Sequence, residues 1–334
     1  MKQPYSIGVD LGGTNLRIAA YASGREFLDT VVLPTRLELG RDQVVRDMAE
    51  AINGLMARFN PTHQMAGIGV GSPGPLELPE GIIRNPPNLP GWDGFHLRAA
   101  IEEQVGVPVC IEGDANVAAL AEWQVGKGLH YGVESLCMLT LGTGVGSGFI
   151  LNGRIWHGVT GMGGEAGHIQ VHPYQGAACG CGGFGCLEQY ASATAIARMA
   201  REQMGTQAPS SPHMLATMAH AGNRQAQQIF EQVGRALAVG LTAVINMLNL
   251  PLCLIGGGVS DAWDLFAPTM FAELRSRSYV YRLTEPTRCI CGEALQTRIE
   301  AAELGSNAGL LGACLLPFQA ATSDAPSTGV LARA

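Results

Sequence analysis

The first third of the chain alternates between short apolar runs and apolar residues at helical spacing. Residues 6–11 and 16–21 are apolar runs split by Gly12-Gly13-Thr14, the pattern of a β-hairpin, and residues 27–33 form a third strand-like run. Residues 44–59 carry apolar side chains at helical spacing, and residues 66–71 return to a strand pattern. The stretch 72–93 is rich in Pro and Gly and predicts a long functional loop on a rigid scaffold. A helix over 97–105, a strand over 107–112 and a helix over 115–125 follow, an alternation that predicts an α/β architecture.

A second hairpin, 136–141 with 148–151, brackets the glycine run 142–148. Residues 9–17 and 140–148 look like related units, which suggests two α/β domains of similar design facing one another across a cleft. Further on, the pattern predicts a long buried helix over 225–248, a strand over 252–255 ending in Gly256-Gly257-Gly258, and a small-residue helix over 301–316. The expected division is a first domain of 1–114 with about 301–318, and a second of 115–300. The tail 320–334, with nothing to pack, is expected to fray.

Composition narrows the function classes. The 334 residues are 47% hydrophobic and only 15% charged, as in a globular enzyme, and 45 glycines imply many tight turns. A net charge of −7 argues against a nucleic-acid-binding surface, and an anionic substrate would need local donors or a metal ion. Nine cysteines in a chain this long fit a reducing cytoplasm better than a disulfide scaffold. The opening residues lack an apolar signal-peptide core, and no run approaches the ~20 apolar residues of a membrane span, so a cytosolic location is expected.

Three glycine turns stand at strand ends. At the first, Gly12 and Gly13 let backbone N–H groups approach a phosphate, Thr14 adds a hydroxyl, and Asp10 could bind Mg²⁺ through water. The second spans Gly142, Thr143 and Gly144 and continues to Gly146; the third is Gly256, Gly257 and Gly258, read as backbone passing close to a nucleotide. No Gly-Lys-Ser/Thr follows any of them and no helix opens after the first, so neither the P-loop nor the dinucleotide fingerprint applies. Asp114, between a strand and a helix, fits a helix N-cap and also an acid–base role at a strand end.

His168, Cys179, Cys181 and Cys186, spaced H-x10-C-x-C-x4-C in a glycine-rich stretch, make a Cys₃His set suited to a structural Zn²⁺. Cys289 and Cys291 lack a nearby His and read as core thiols, as do Cys110, Cys137, Cys253 and Cys314.

These motifs occur together and in order: Asp10-Leu-Gly-Gly-Thr14, Gly113-Asp-Ala-Asn116, Leu141-Gly-Thr-Gly-Val-Gly146, Gly164-Glu-Ala-Gly-His168, Cys179-Gly-Cys181 with Cys186-Leu-Glu188, and Gly256-Gly-Gly258. Over roughly residues 5–316 the chain resembles the ROK family of bacterial sugar kinases and sugar-responsive repressors, and most of all its glucokinases. The resemblance implies two actin/hexokinase-like ATPase domains, ATP with Mg²⁺ at the glycine turns, and Asp114 as catalytic base. It also implies that Asn88, Glu165, His168 and Glu188 hold sugar hydroxyls, with His168 giving its other ring nitrogen to zinc. Members often carry Asn before the catalytic Asp, where it helps hold a sugar hydroxyl; Gly113 stands there in this chain.

The expected reaction is phosphorylation of a hexose, glucose first, at its 6-hydroxyl. N-acetylglucosamine, N-acetylmannosamine, mannose, fructose and allose are the alternative substrates, and a repressor-like sugar sensor is the alternative class. Repressors of the family place a helix-turn-helix ahead of the kinase-like body, whereas here a strand is expected by residue 6. Homodimers or homotetramers are usual among relatives.

Overall fold

The computed structural model describes residues 2–24, 26–86, 88–287 and 295–323. Cys289, Cys291 and the tail beyond Ser323 lie outside the described residues. The chain divides into two compact units, Met1–Ala118 with the segment from Gly309 onward, and Ala119–Ala308. The divisions fall inside one helix and at the start of another.

The first unit is built on β1 (Pro4–Leu11), β2 (Asn15–Ala22), β3 (Glu26–Pro34), β4 (Gln64–Ser72) and β8 (Val109–Gly113), in the order β3-β2-β1-β4-β8. The pairs β1–β2 and β2–β3 are antiparallel, while β1, β4 and β8 are parallel. Central β1 is buried along nearly its whole length, as expected of a strand covered on both faces. Helix α1 (Arg41–Phe59) turns Val44, Val45, Met48, Ile52 and Leu55 inward, and α2 (Leu97–Val105) packs beside it with Leu97, Ile101 and Val105 buried.

Residues 72–96 hold more order than their Pro and Gly content suggested. Two-residue strands β5 (Leu76–Glu77), β6 (Ile82–Ile83) and β7 (Phe95–His96) form a small antiparallel sheet, and Leu89 and Trp92 are buried in the core of this unit.

The second unit repeats the plan. Its strands β9 (Leu136–Leu141), β10 (Val145–Leu151), β11 (Arg154–Ile155), β12 (Leu252–Gly256) and β13 (Arg298–Ala301) lie in the order β11-β10-β9-β12-β13. Again the first three strands are antiparallel and the last two parallel to the central one. The glycine turns 12–14 and 142–144 therefore occupy the same place in two sheets of one topology.

Helix α3 (Asp114–Gln124) leads from the first unit into the second, followed by α4 (Lys127–Tyr131). After the loop region come α5 (Glu188–Ala191), α6 (Ala193–Met204), α7 (Pro212–His220), α8 (Arg224–Leu248), α9 (Trp263–Arg277) and α10 (Tyr281–Thr284). The long α8 buries Ile229, Phe230, Val233, Leu237 and Leu241 and packs along α9.

The helix expected over 301–316 starts later, as α11 (Ala308–Ser323). Ala301 instead ends β13, where Ile299 pairs with Cys253 and Ala301 with Ile255. Ladder hydrogen bonds to a buried strand override the weak helix preference of a few small residues. Helix α11 belongs to the first unit, where the carbonyl of Cys314 accepts a hydrogen bond from Ser6 Oγ at 2.6 Å.

Glu122, fully buried near the end of α3, organises the second unit. Its Oε1 accepts from the amides of Glu303 and Leu304, each at 2.7 Å, and its Oε2 accepts from the amide of Lys127 at 3.2 Å. Cys137, Cys253 and Cys314 are buried, as their apolar surroundings predict, and Cys110 is half-buried. Among the described residues, no helix is long and apolar enough to cross a membrane.

Candidate functional site

In the first unit the candidate residues gather at the carboxyl ends of parallel strands. Register places Asp10 of β1 beside Gly71 of β4, and Ser72 beside Gly113 of β8, so Asp10 and Asp114 close two strands separated only by β4. That edge is where ligands bind in open α/β sheets.

The 12–14 turn is pinned from below. Gly12 N–H donates to the Asn15 carbonyl at 3.0 Å, Thr35 Oγ1 donates to the Gly12 carbonyl at 2.6 Å, and Thr35 N–H donates to the Thr14 carbonyl at 2.9 Å. Gly13 and Thr14 are exposed, and a Cβ built on Gly13 would come 3.5 Å from the carbonyl of exposed Asn88. The structure thus brings Asn88 to the first glycine turn.

Asp10 pairs with Arg17, whose Nε donates to Oδ2 at 3.1 Å and whose Nη2 reaches the same oxygen. Arg17 was not singled out from sequence. Its place opposite Asp10 in the β1–β2 ladder is the signal that identifies it, since directly opposed side chains of unlike charge attract.

Asp114 is the first residue of α3, and its Oδ1 accepts from the next amide, Ala115, at 2.7 Å. Buried Glu112 holds the same helix start, its Oε1 accepting from Gly113 N–H at 2.8 Å and from Asn116 Nδ2 at 2.9 Å.

In the second unit, Gly142 N–H closes its turn on the Gly144 carbonyl at 2.9 Å. The Gly142 carbonyl accepts from the Ala193 amide and the Thr143 carbonyl from Thr194 Oγ1, each at 2.8 Å. The amides of Thr143 and Gly144 have no partner among the described residues, which leaves two donors for an anion. Glu188 stands against this turn, its Oε2 accepting from Val145 N–H at 3.1 Å. A Cβ on Gly144 would overlap that oxygen, so a side chain there would displace the Glu188 carboxylate.

The third turn passes close to another strand. Gly257 has φ +83°, and a Cβ there would lie 2.6 Å from the Leu141 carbonyl, so its glycine is set by close passage over the end of β9. Of the three, Gly258 alone has open space around it.

The His/Cys loop folds by pairing 169–172 against 185–187. Leu187 N–H donates to the Ile169 carbonyl at 2.9 Å and Val171 N–H to the Gly185 carbonyl at 2.8 Å, which sets His168 beside Cys186. A tight turn links Cys179 to Gly183 at 2.9 Å, and Tyr190 Oη accepts from the Ala177 amide at 2.9 Å.

The four side chains fit a metal ion. Ligands about 2.3 Å from a tetrahedral centre lie about 3.8 Å apart. Here His168 Nδ1 and Cys179 Sγ are 3.7 Å apart, as are Cys181 Sγ and Cys186 Sγ, and all four ligand atoms fall within 4.8 Å of one another. Burial and the adjoining Cys181 and Cys179 thiols push the Cys186 thiol up to about 12, so this cluster ionises fully only around a cation. Four protein ligands close the shell, the arrangement of a structural site.

His168 turns Nδ1 to the thiols, and Glu188 Oε1 lies 3.7 Å from Cys179 Sγ. Ser147 Oγ, absent from the sequence reading, bonds the Gly164 carbonyl and accepts from the Ala166 amide at 2.8 Å, which holds Glu165 between them. Glu165 keeps solvent-accessible surface, yet crowding of its carboxyl by burial raises its pKa, with His168 opposing and Glu188 reinforcing the shift. The second unit therefore assembles Glu165, His168, Glu188, the Cys cluster and the 142–144 turn into one neighbourhood.

Comparison with known proteins agrees with this arrangement. The chain is 35% identical to a glucokinase of Halalkalibacterium halodurans over 93% of its own length and 94% of that protein. The crystal structure of the ROK hexokinase from Thermus thermophilus superposes with a TM-score of 0.79 at 33% identity, covering 96% of this chain and 99% of that one. A ROK family glucokinase from Streptomyces griseus, solved in complex with glucose and AMPPNP, gives a TM-score of 0.73 at 28% identity over 94% of this chain and 99% of that one. The ROK family model matches residues 6–320, and this chain belongs to the ROK family.

Proposed function

We propose that the chain transfers the γ-phosphoryl group of ATP to the 6-hydroxyl of a hexose, with glucose as substrate and Asp114 as general base. The observation that carries this reading is the placement of Asp114 at the end of β8, on the strand edge that also presents Asp10 and the 12–14 turn. Likeness to a glucokinase over 93% of the chain supports the choice of sugar.

Within the second unit the amides of Thr143 and Gly144 donate to phosphate oxygens; within the first, those of Gly13 and Thr14 serve the same kind of ligand. Asp10 receives Arg17 on Oδ2 and keeps Oδ1 to hold Mg²⁺ through water. Bound Mg²⁺ neutralises charge on the transferring phosphates. Asn88, Glu165, Glu188 and Nε2 of His168 hold the sugar hydroxyls. Asp114 takes the proton of the 6-hydroxyl as its oxygen bonds to phosphorus and the bond to ADP breaks. His168, Cys179, Cys181 and Cys186 would hold a Zn²⁺ that would supply structure alone, with Nδ1 of His168 toward the ion and Nε2 left for the sugar.

The test is Asp114→Asn assayed by coupled ADP release. General-base loss lowers rates by about 10²–10⁴-fold, so kcat should fall by that factor while glucose affinity stays within about threefold. Near-normal kcat removes Asp114 from the role. The same assay across glucose, mannose, fructose, allose, N-acetylglucosamine and N-acetylmannosamine decides the sugar; a higher kcat/KM for N-acetylmannosamine than for glucose overturns that choice.

A further inference from the structure

The 142–144 turn is held almost entirely by residues that follow the last metal ligand. Cys186 is succeeded by Glu188, which accepts from Val145 N–H and fills the space a Gly144 side chain would need. Ala193 then donates to the Gly142 carbonyl, and Thr194 Oγ1 to the Thr143 carbonyl. Within this short stretch of chain, three groups tie down the carbonyls and the exit amide of one turn. The two amides left over are the donors assigned above to phosphate.

The metal loop flanks the same stretch at its other end. Cys186 is joined to Glu188 through one residue, and Cys179 Sγ packs 3.7 Å from Glu188 Oε1. Glycines at 180, 182, 183 and 185 give the loop a large conformational entropy to lose, which an ion bound by its cysteines offsets. Leu187 and Ala191, both fully buried, anchor the stretch in the core whether or not the ion is present. Loss of the ion therefore loosens Glu188 and the turn without unfolding the unit.

We propose that residues 186–194 couple occupancy of the metal loop to the geometry of the nucleotide turn, with Thr194 as a positioning residue for ATP. The proposal rests on the kinase reading above. It assigns the metal loop an influence on the nucleotide in addition to the sugar, and gives Thr194 a role through its hydrogen bond to the Thr143 carbonyl.

The experiment measures dissociation constants of AMPPNP, with Mg²⁺ present, and of glucose by calorimetry. Four samples are compared: wild type and Thr194→Val, each metal-loaded and each after a zinc-selective chelator, with metal content read by mass spectrometry. Loss of one hydrogen bond predicts that metal-loaded Thr194→Val binds AMPPNP about three- to tenfold more weakly, with metal content and glucose affinity unchanged. Thr194→Ser, which keeps the hydroxyl, should restore affinity. Metal removal from wild type should weaken AMPPNP by a similar factor, and metal-free Thr194→Val should be little weaker than either alone, because both changes act on one turn.

AMPPNP affinity that is indifferent to metal, or effects that simply multiply, overturns the coupling and leaves the kinase reading intact. Wild-type, metal-loaded protein that binds glucose but not AMPPNP overturns the kinase reading itself.

Discussion

Glu122 offers a perturbation whose size follows from its geometry. Its carboxylate is fully buried and accepts from three backbone amides, two at 2.7 Å and one at 3.2 Å. Each buried donor left unsatisfied is worth about 1–3 kcal/mol. Glu122→Ala strands three donors, but the cavity admits some water and the Lys127 bond is the longest, so a loss of about 3–5 kcal/mol is expected. Glu122→Gln can keep its carbonyl on the Glu303 and Leu304 amides while its NH₂ opposes the Lys127 amide, which predicts only about 1–2 kcal/mol. A unit of this size shifts by about 2–4 °C per kcal/mol, so calorimetry should show melting lowered by about 10 °C for Ala and a few degrees for Gln. Equal destabilisation by the two variants, or an Ala variant that melts with wild type, would refute the three-amide account.

Other outcomes follow from neighbouring features. Cys181→Ser should reduce metal content from about one Zn²⁺ per chain and lower sugar phosphorylation with it, while Cys110→Ser leaves both unchanged; a metal-free Cys181→Ser protein with full activity refutes the pocket-orienting role. Burial alone would raise the Glu300 carboxyl, but hydrogen bonds from Lys127 and Tyr131 and the Lys127 charge hold it below its usual 4.5. Its contribution to stability is therefore present above about pH 4.5 and lost as pH falls through the depressed folded-state value. The stability gap between wild type and Glu300→Gln in urea melts should accordingly shrink on acidification from pH 7; a gap independent of pH refutes it.

What the sequence disclosed, and what it hid, follows from where the information resides. Strands of six to nine residues carry a readable apolar run, so β1, β2, β4 and β9 and the turns between them were visible. Two-residue strands such as β5, β6 and β7 have no period, and the small sheet within 72–96 was read as loop. The Cys₃His set was legible because chemistry constrains residue type as well as spacing. Glu122 was not: in a helix rich in alanine a lone Glu reads as solvent-facing, and only the fold brings residues 303 and 304 to it. Thr194, Ser147 and Arg17 escaped for the same reason, since each acts through a backbone or side-chain partner that another element supplies. At Gly257 the glycine marks a close approach that the sequence does not locate: the Leu141 backbone lies against it.

The bond between Ser6 and Cys314 joins residues 308 positions apart, and it sets the order in which this protein can be finished during synthesis. Translation adds about 5–20 residues per second, so β1 waits roughly 15–60 s for the helix that covers it. The second unit is one uninterrupted stretch and can close while α11 is still being made. For that interval the face of β1 that carries Ser6 and Gly8 lacks the helix that covers it, and the ribosome-bound chain has its greatest need of chaperone protection at the unit synthesised first.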